Sequence, residues 1–89
     1  MTPTAHLSAL HDLPCVVDWL LTGKRNRVDI VVHHIESCRD DMSHWAGVPI
    51  CDSCHKWLHG ASRRGFERAT KLTPIDLLAG TVALLQGAR

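Results

Sequence analysis

Two cysteines and two histidines lie within the nine residues from Cys51 to His59. Cys51 and Cys54 have the C-x-x-C spacing, with which one short turn presents two thiolates to a tetrahedral metal ion. His55 and His59 are four residues apart, so in a helix that begins near Ser53 they lie one turn apart on the same face and can share a second ion. The segment therefore predicts metal binding through two different kinds of ligand.

A second segment with candidate ligands is the apolar run Val28–Ile35, which contains His33 and His34. Its β-branched side chains predict a strand. Neighbouring residues of a strand point to opposite faces, so both imidazoles reach one site only if the strand ends or bends near His34. The loop that follows, residues 36–47, would supply that bend.

Short helices and one further strand are predicted around these two segments. The expected elements are a helix over 4–13, a short helix ended by Gly23 in the left-handed conformation, an edge strand over 48–50, a helix over 65–71, and a terminal helix capped by Thr73. The chain is thus predicted to form one α+β domain over residues 1–89, with a ββα core over about 28–62 and a C-terminal helix over about 74–87. His6 and His11 are expected at the surface or its edge.

The length and the charge narrow the possible functions. A domain of 89 residues buries a modest core and often depends on a metal or on disulfides. A net charge of +1 excludes a binder that holds nucleic acid by a global basic field alone. The basic residues are clustered, however, and those expected to contact phosphates are Lys24, Arg25, Arg27, Arg63 and Arg64. The charged run from Lys24 to Arg27 is equally consistent with phosphate contacts and with a solvated loop that binds nothing.

The cysteines indicate metal binding more than disulfide formation. The first residues have neither the basic start nor the apolar core of a secretory signal, and no apolar run is long enough to span a membrane. We therefore expect a cytoplasmic protein without a membrane partner, in which the four cysteines are metal ligands. Cys15 could also be a small buried hydrophobic residue, but Cys51 and Cys54 need further ligands to close a structural site.

The order strand, His-His, loop, short strand and C-x-x-C-H-x-x-x-H helix resembles the HNH endonuclease family, also called ββα-metal or His-Me fingers. Within that family the chain is similar to small phage and prophage nucleases linked to recombination. The resemblance covers residues 6 to about 66 and includes the Pro14-Cys15 pair and the Val48-Pro49-Ile50-Cys51 strand. It implies a small zinc-stabilised ββα-metal finger with flanking N- and C-terminal helices.

The resemblance also implies a role for each histidine of the two motifs. His34 matches the general base, since a neutral imidazole can take a proton from water at neutral pH. His33, His55 and His59 match the ligands of a divalent ion, which would be magnesium, manganese, nickel or zinc. The implied reaction is hydrolysis of a DNA phosphodiester with a 5′-phosphate product, and the implied partner is DNA. The oligomeric state, monomer or homodimer, stays open.

The chain departs from the family pattern at two places. The family's middle residue is usually Asn, whereas the only asparagine here is Asn26, upstream of the strand, so His44 or Asp41 would replace it. Relatives often have a C-x-x-C motif before the first strand. In this chain the first cysteine of that motif is Cys15, but Asp18 replaces the second cysteine. We favour a structural zinc site whose ligands are Cys15, Cys38, Cys51 and Cys54, with Asp18 as the alternative to Cys38.

The alternative function is a non-catalytic zinc module that binds DNA or a protein. In such a module the cysteines and histidines only hold the fold together. His34 separates the two functions, because a structural module has no use for an unligated imidazole beside the ion. A redox role for Cys51 and Cys54 is disfavoured, since no thioredoxin-like βαβ pattern surrounds them.

Overall fold

Five α-helices surround a two-stranded antiparallel sheet in the computed structural model, which describes residues 2–35 and 40–87. In chain order the elements are α1 (Pro3–His11), α2 (Val16–Thr22), β1 (Ile30–His34), a 3₁₀ helix (Asp40–Ala46), β2 (Gly47–Cys51), α3 (Asp52–Gly60), α4 (Ser62–Thr70) and α5 (Pro74–Leu85). The prediction of a small α+β fold is confirmed. None of the helices in the described ranges is long and apolar enough to cross a membrane.

The strand β1 is shorter than its apolar sequence predicts. It begins at Ile30 rather than at Val28, because Asp29 has a left-handed backbone (φ 52°) that interrupts the extended chain. The carbonyl of Asp29 instead accepts a hydrogen bond from the backbone N–H of Asp52, at the start of α3. β1 pairs with β2 in antiparallel register, with Ile30 opposite Cys51 and His34 opposite Gly47. β2 ends at Cys51 and α3 begins at the next residue, Asp52.

Local signals set several of the helix ends. Gly23 ends α2 with φ 77°, the left-handed conformation predicted for it. Thr73 caps α5: its hydroxyl accepts from the N–H of Asp76, and its own N–H donates to the Asp76 carboxylate at 2.8 Å. α4 begins earlier than predicted, at Ser62, and only Ala61 separates it from α3.

The core lies between the sheet and the helices α1, α2 and α5. Its apolar members include Leu10, Val16, Val17, Val48, Ile50, Leu77 and Leu84. Gly80 lets α5 approach α2 closely, since a Cβ there would lie 2.8 Å from Val16 Cγ2 and 3.0 Å from Leu20 Cδ1. His6 is buried against the ring of Trp45, at 4.8 Å between centroids, so the expectation of a surface position was wrong for this residue.

Candidate metal centres

Three cysteines and one aspartate meet where two helices begin. Cys15 stands just before α2 and Asp18 in its first turn, while Cys51 ends β2 and Cys54 lies in the first turn of α3. Their three sulfur atoms and a carboxylate oxygen all lie within 4.8 Å of one another. The positive end of a helix dipole favours thiolates, so the start of α3 is a suitable place for this Cys/Asp cluster.

The spacing of the Cys/Asp cluster fits a tetrahedral ion. Cys51 Sγ lies 3.8 Å from Asp18 Oδ2, and Cys54 Sγ lies 3.7 Å from Asp18 Oδ1. A tetrahedron with zinc–sulfur bonds of about 2.3 Å and a zinc–oxygen bond of about 2.0–2.2 Å requires sulfur–oxygen separations of roughly 3.5 Å. These two separations exceed that value by only a few tenths of an ångström, and the group could hold a metal such as zinc.

The thiols of the cluster differ in how readily they ionise. Burial raises the pKa of Cys15 and of Cys54, and the nearby negative groups of the cluster add to this effect. Burial also opposes ionisation of Cys51, but hydrogen bonds from Ser53 and Cys54 outweigh it and lower the Cys51 pKa. Three thiolates and a carboxylate need a cation between them, and a divalent ion matches this donor set.

Asn26 supports the Cys/Asp cluster from outside. Its side-chain amide donates to Asp18 Oδ2 at 2.9 Å, and its backbone carbonyl accepts from the N–H of Cys15 at 2.7 Å. Its side-chain carbonyl accepts from the N–H of Val28 at 2.9 Å, which holds the loop before β1. Outer partners of this kind orient a ligand carboxylate. The sequence signal for this role was only that Asn26 is the sole asparagine of the chain.

The predicted structural ligands are brought together in part. Cys15, Cys51 and Cys54 lie in one cluster, as expected. Cys38 lies outside the described residues. Within the described ranges, Asp18 is the fourth member of the cluster, which is the alternative that the sequence left open.

Three histidines, one on β1 and two on α3, form a second cluster. A ring nitrogen from each of His33, His55 and His59 lies within 4.8 Å of the other two. The Nε2 atoms of His55 and His59 are 2.9 Å apart, since the two residues stand one helical turn apart. The His33 ring reaches them from β1, with centroids 5.5 Å and 5.6 Å from theirs. Three imidazoles in this arrangement can act as ligands of one ion and leave further positions open.

The charge state of the His cluster also suits a ligand role. Burial lowers the pKa of His55, the positive charge of a protonated His59 lowers it further, and Asp52 opposes the shift. His55 is therefore held toward its neutral form, which is the form that binds a metal.

His34 lies apart from the other three histidines of the two motifs. Its ring is exposed and faces His44 of the 3₁₀ helix, with His34 Nε2 3.4 Å from His44 Nδ1. β1 ends at His34, which is where the sequence predicts that the strand ends or bends. Of the two candidates for the family's Asn, His44 contacts His34, and the Asp41 side chain lies outside the described part of the structure.

The predicted phosphate-binding residues lie in two places. Lys24, Arg25 and Arg27 are exposed in the loop before β1, which hydrogen bonds to the Cys/Asp cluster through Asn26. Arg63 and Arg64 are exposed on α4, and Arg63 shares a cavity wall with His33 and His59. The first group therefore adjoins the Cys/Asp cluster, whereas Arg63 adjoins the His cluster.

In comparisons with known proteins, no family model matches the chain and no curated protein matches it.

Proposed function

We propose that the protein is a metal-dependent endonuclease of the HNH type that hydrolyses DNA phosphodiesters. One observation carries this proposal: the neighbouring residues His33 and His34 have separate environments. His33 joins two helical imidazoles that can hold an ion, whereas His34 is exposed, does not belong to that group and faces His44. A purely structural metal site has no use for an imidazole that is not a ligand, such as that of His34.

The ligand residues of the reaction are His33, His55 and His59. When bound there, a divalent ion supplies positive charge that stabilises the pentacovalent phosphate and the leaving 3′ oxygen. The strand β1 and the helix α3 hold these three side chains in place before substrate arrives, which reduces the reorganisation needed during the reaction. His59 is exposed, so the cluster is accessible to a phosphate of a DNA strand.

The base of the reaction is His34, which takes a proton from the attacking water as the new phosphorus–oxygen bond forms and the bond to the 3′ oxygen breaks. One nitrogen of the His34–His44 pair must carry the shared hydrogen. If His34 Nε2 donates to His44 Nδ1, the Nδ1 atom of His34 is left as the acceptor. His44 is then a positioning residue, in the place where the family has an asparagine.

The Cys/Asp cluster is assigned to a structural zinc that joins α2 to the junction of β2 and α3. In a chain of 89 residues, such an ion contributes directly to the free energy of folding. It also fixes the start of the helix that carries His55 and His59. Its proposed role is therefore to support the His cluster without taking part in the reaction.

DNA contacts are assigned to the exposed basic residues, with Arg63 nearest to the His cluster. Arginine contacts to phosphates position a strand without reading its sequence. We therefore expect weak sequence preference and binding that weakens steeply as the salt concentration rises. Lys24, Arg25 and Arg27 would contact a more distant part of the strand.

The deciding experiment is cleavage of supercoiled plasmid by metal-stripped protein, with magnesium, manganese, nickel or zinc added back. His34→Ala is the test variant, and His11→Ala is the matched control because His11 is exposed at the end of α1 and belongs to neither cluster. We expect nicking or linearisation by the wild type and by His11→Ala, and none by His34→Ala with an unchanged circular dichroism spectrum.

Two outcomes would count against the nuclease. Cleavage by His34→Ala at the wild-type rate would remove the proposed base. Absence of cleavage with every metal, while zinc stays bound in stoichiometric amounts, would favour the non-catalytic zinc module, whose cysteines and histidines serve the fold alone.

A further inference from the structure

A cavity of about 230 Å³ opens beside the His cluster. His33 and His59 form part of its wall, so a strand whose phosphate lies at the cluster has this space next to it. At about 30 Å³ per water, the cavity would hold roughly eight water molecules. A flat ring of nucleobase size fits in a space of this scale.

Most of the cavity wall is apolar. The apolar side chains come from α3, α4, α5, the residue after β1 and the segment before α5, and they include Ile35, Leu58, Phe66, Leu72 and Leu77. Phe66 lines the cavity, is 2% exposed, and contacts the Trp57 ring in a T-shaped arrangement with 5.1 Å between the ring centroids. A preformed apolar wall with a few polar groups suits a flat, partly apolar ring.

Two charged residues of α4 complete the wall. Arg63 and Glu67 stand four residues apart and so share one face of the helix. Within residues 2–35 and 40–87, neither side chain has a hydrogen bond or an ion pair, so both are available to a ligand. A carboxylate only accepts hydrogen bonds and repels phosphate, so Glu67 argues against a phosphate inside the cavity. It can accept from an exocyclic amino group, as carboxylates do from cytosine N4.

We propose that this cavity is a subsite for one unpaired nucleobase that carries an exocyclic amino group, next to the phosphate at the His cluster. The inference rests on the proposed action on DNA and specifies the substrate. Glu67 accepts from the amino group of cytosine or adenine, the apolar wall covers the ring, and Arg63 holds the adjoining phosphate. Thymine has no such group. Since the base must leave its stack and its pair, single-stranded or frayed DNA is the preferred substrate.

The test is binding of fluorescein-labelled oligo-dC, oligo-dA and oligo-dT by fluorescence anisotropy at constant salt. The zinc-loaded His34→Ala protein is used, because it leaves the cavity intact and prevents cleavage. We expect oligo-dC and oligo-dA to bind about tenfold more tightly than oligo-dT, in line with the discrimination of one good base contact. Adding Glu67→Gln removes the negative charge at constant size. It should reduce the ratio of the affinities for oligo-dC and oligo-dA to the affinity for oligo-dT from about tenfold to about twofold or less.

The matched control is Asp12→Asn, because Asp12 is an exposed carboxylate just after α1 and does not line the cavity. Asp12→Asn should leave the ratio of the oligonucleotide affinities unchanged. Equal binding of all three oligonucleotides, with plasmid cleavage by the wild type intact, would overturn the base subsite and leave the nuclease standing. A base preference without any cleavage would support the subsite and refute the nuclease. No binding and no cleavage would overturn both.

Discussion

Nδ1 of His44 lies 3.4 Å from Nε2 of His34, so the 3₁₀ helix places one imidazole against another at the end of β1. Both rings are exposed, and their planes meet at 62°. At 3.4 Å, the contact between the two ring nitrogens is long for a hydrogen bond. It gives His34 a neighbour that can set its orientation and its tautomer.

The first prediction concerns His44 as a positioning residue. His44→Ala should lower kcat for DNA cleavage by about tenfold or more and leave KM nearly unchanged, because the base loses its orientation while the phosphate contacts remain. His44→Asn, with a side chain that can still hydrogen bond, should recover most of the loss. Steady-state kinetics on a labelled oligonucleotide would measure both. An equal effect of His11→Ala would show that the loss is not specific to His44.

The second prediction concerns the number of ions. The protein should bind two zinc ions per chain, since the described residues contain two groups of suitable ligands. His59→Ala should retain one, because His33 and His55 alone no longer hold an ion firmly. Elemental analysis after gel filtration would measure the ratio, with His11→Ala as the control that keeps two. A ratio of two in His59→Ala would refute the His cluster as a zinc site.

The third prediction concerns Asn26. Asn26→Ala should weaken zinc binding at the Cys/Asp cluster by about 10- to 100-fold, because Asp18 loses the amide that orients its carboxylate. Competition with a chromophoric chelator, in the His59→Ala background, would report this cluster alone. Lys24→Ala is the control in the same loop, since its exposed side chain does not contact the cluster. Equal zinc affinities for the two variants would contradict the role of Asn26.

The fourth prediction concerns Gly80. Gly80→Ala gains about 0.5–1 kcal/mol in helix propensity, but the new Cβ would lie 2.8 Å from the stiff, buried side chain of Val16. Overpacking costs about 1–3 kcal/mol, so a net loss of about 1 kcal/mol is expected. That loss corresponds to a melting temperature lower by about 4–8 °C.

Gly60→Ala is the control for Gly80, because Gly60 also lies in a helix and has no atom within 4 Å of a new Cβ. It should leave the melting temperature unchanged or raise it slightly. Thermal unfolding followed by circular dichroism would compare the two. A higher melting temperature for Gly80→Ala than for the wild type would show that α2 and α5 move apart enough to accommodate the new Cβ.

The fifth prediction concerns pH and the cap of α5. The backbone and side-chain hydrogen bonds from Thr73 lower the pKa of Asp76 below its ordinary value of 3.8. A carboxyl group whose pKa is lower in the folded state stabilises the fold above its unfolded pKa, and this stability is lost as the pH falls through the folded pKa. Asp76→Asn should therefore be less stable than the wild type near neutral pH.

The difference between Asp76→Asn and the wild type should shrink in acid and vanish below the folded pKa of Asp76. Melting temperatures of both proteins across the acidic range would show the convergence. A difference that stays constant with pH would indicate that the loss in Asp76→Asn is not due to the charge.

Local patterns in the sequence determined the elements whose causes lie within a few residues. Thr73, Pro74 and Asp76 specify the start of α5, and Gly23 specifies the end of α2, because caps depend on the backbone of one turn. In the same way, the spacing of His55 and His59 determined that both lie on one face of α3. The β-branched side chains likewise predicted the strand that carries His33 and His34, and β1 ends at His34.

Tertiary structure alone decided which distant groups meet. Asp18 reaches Cys51 and Cys54 across 33 and 36 residues of sequence, and no local pattern specifies such a contact. The pairing of β1 with β2 decided that His33 joins the helical histidines, and the packing of α5 on α2 decided that Gly80 must be small. The cavity beside His59 likewise exists only where β1, α3, α4 and α5 come together. These contacts depend on the packing of whole elements, which the spacing of residues in one chain segment does not encode.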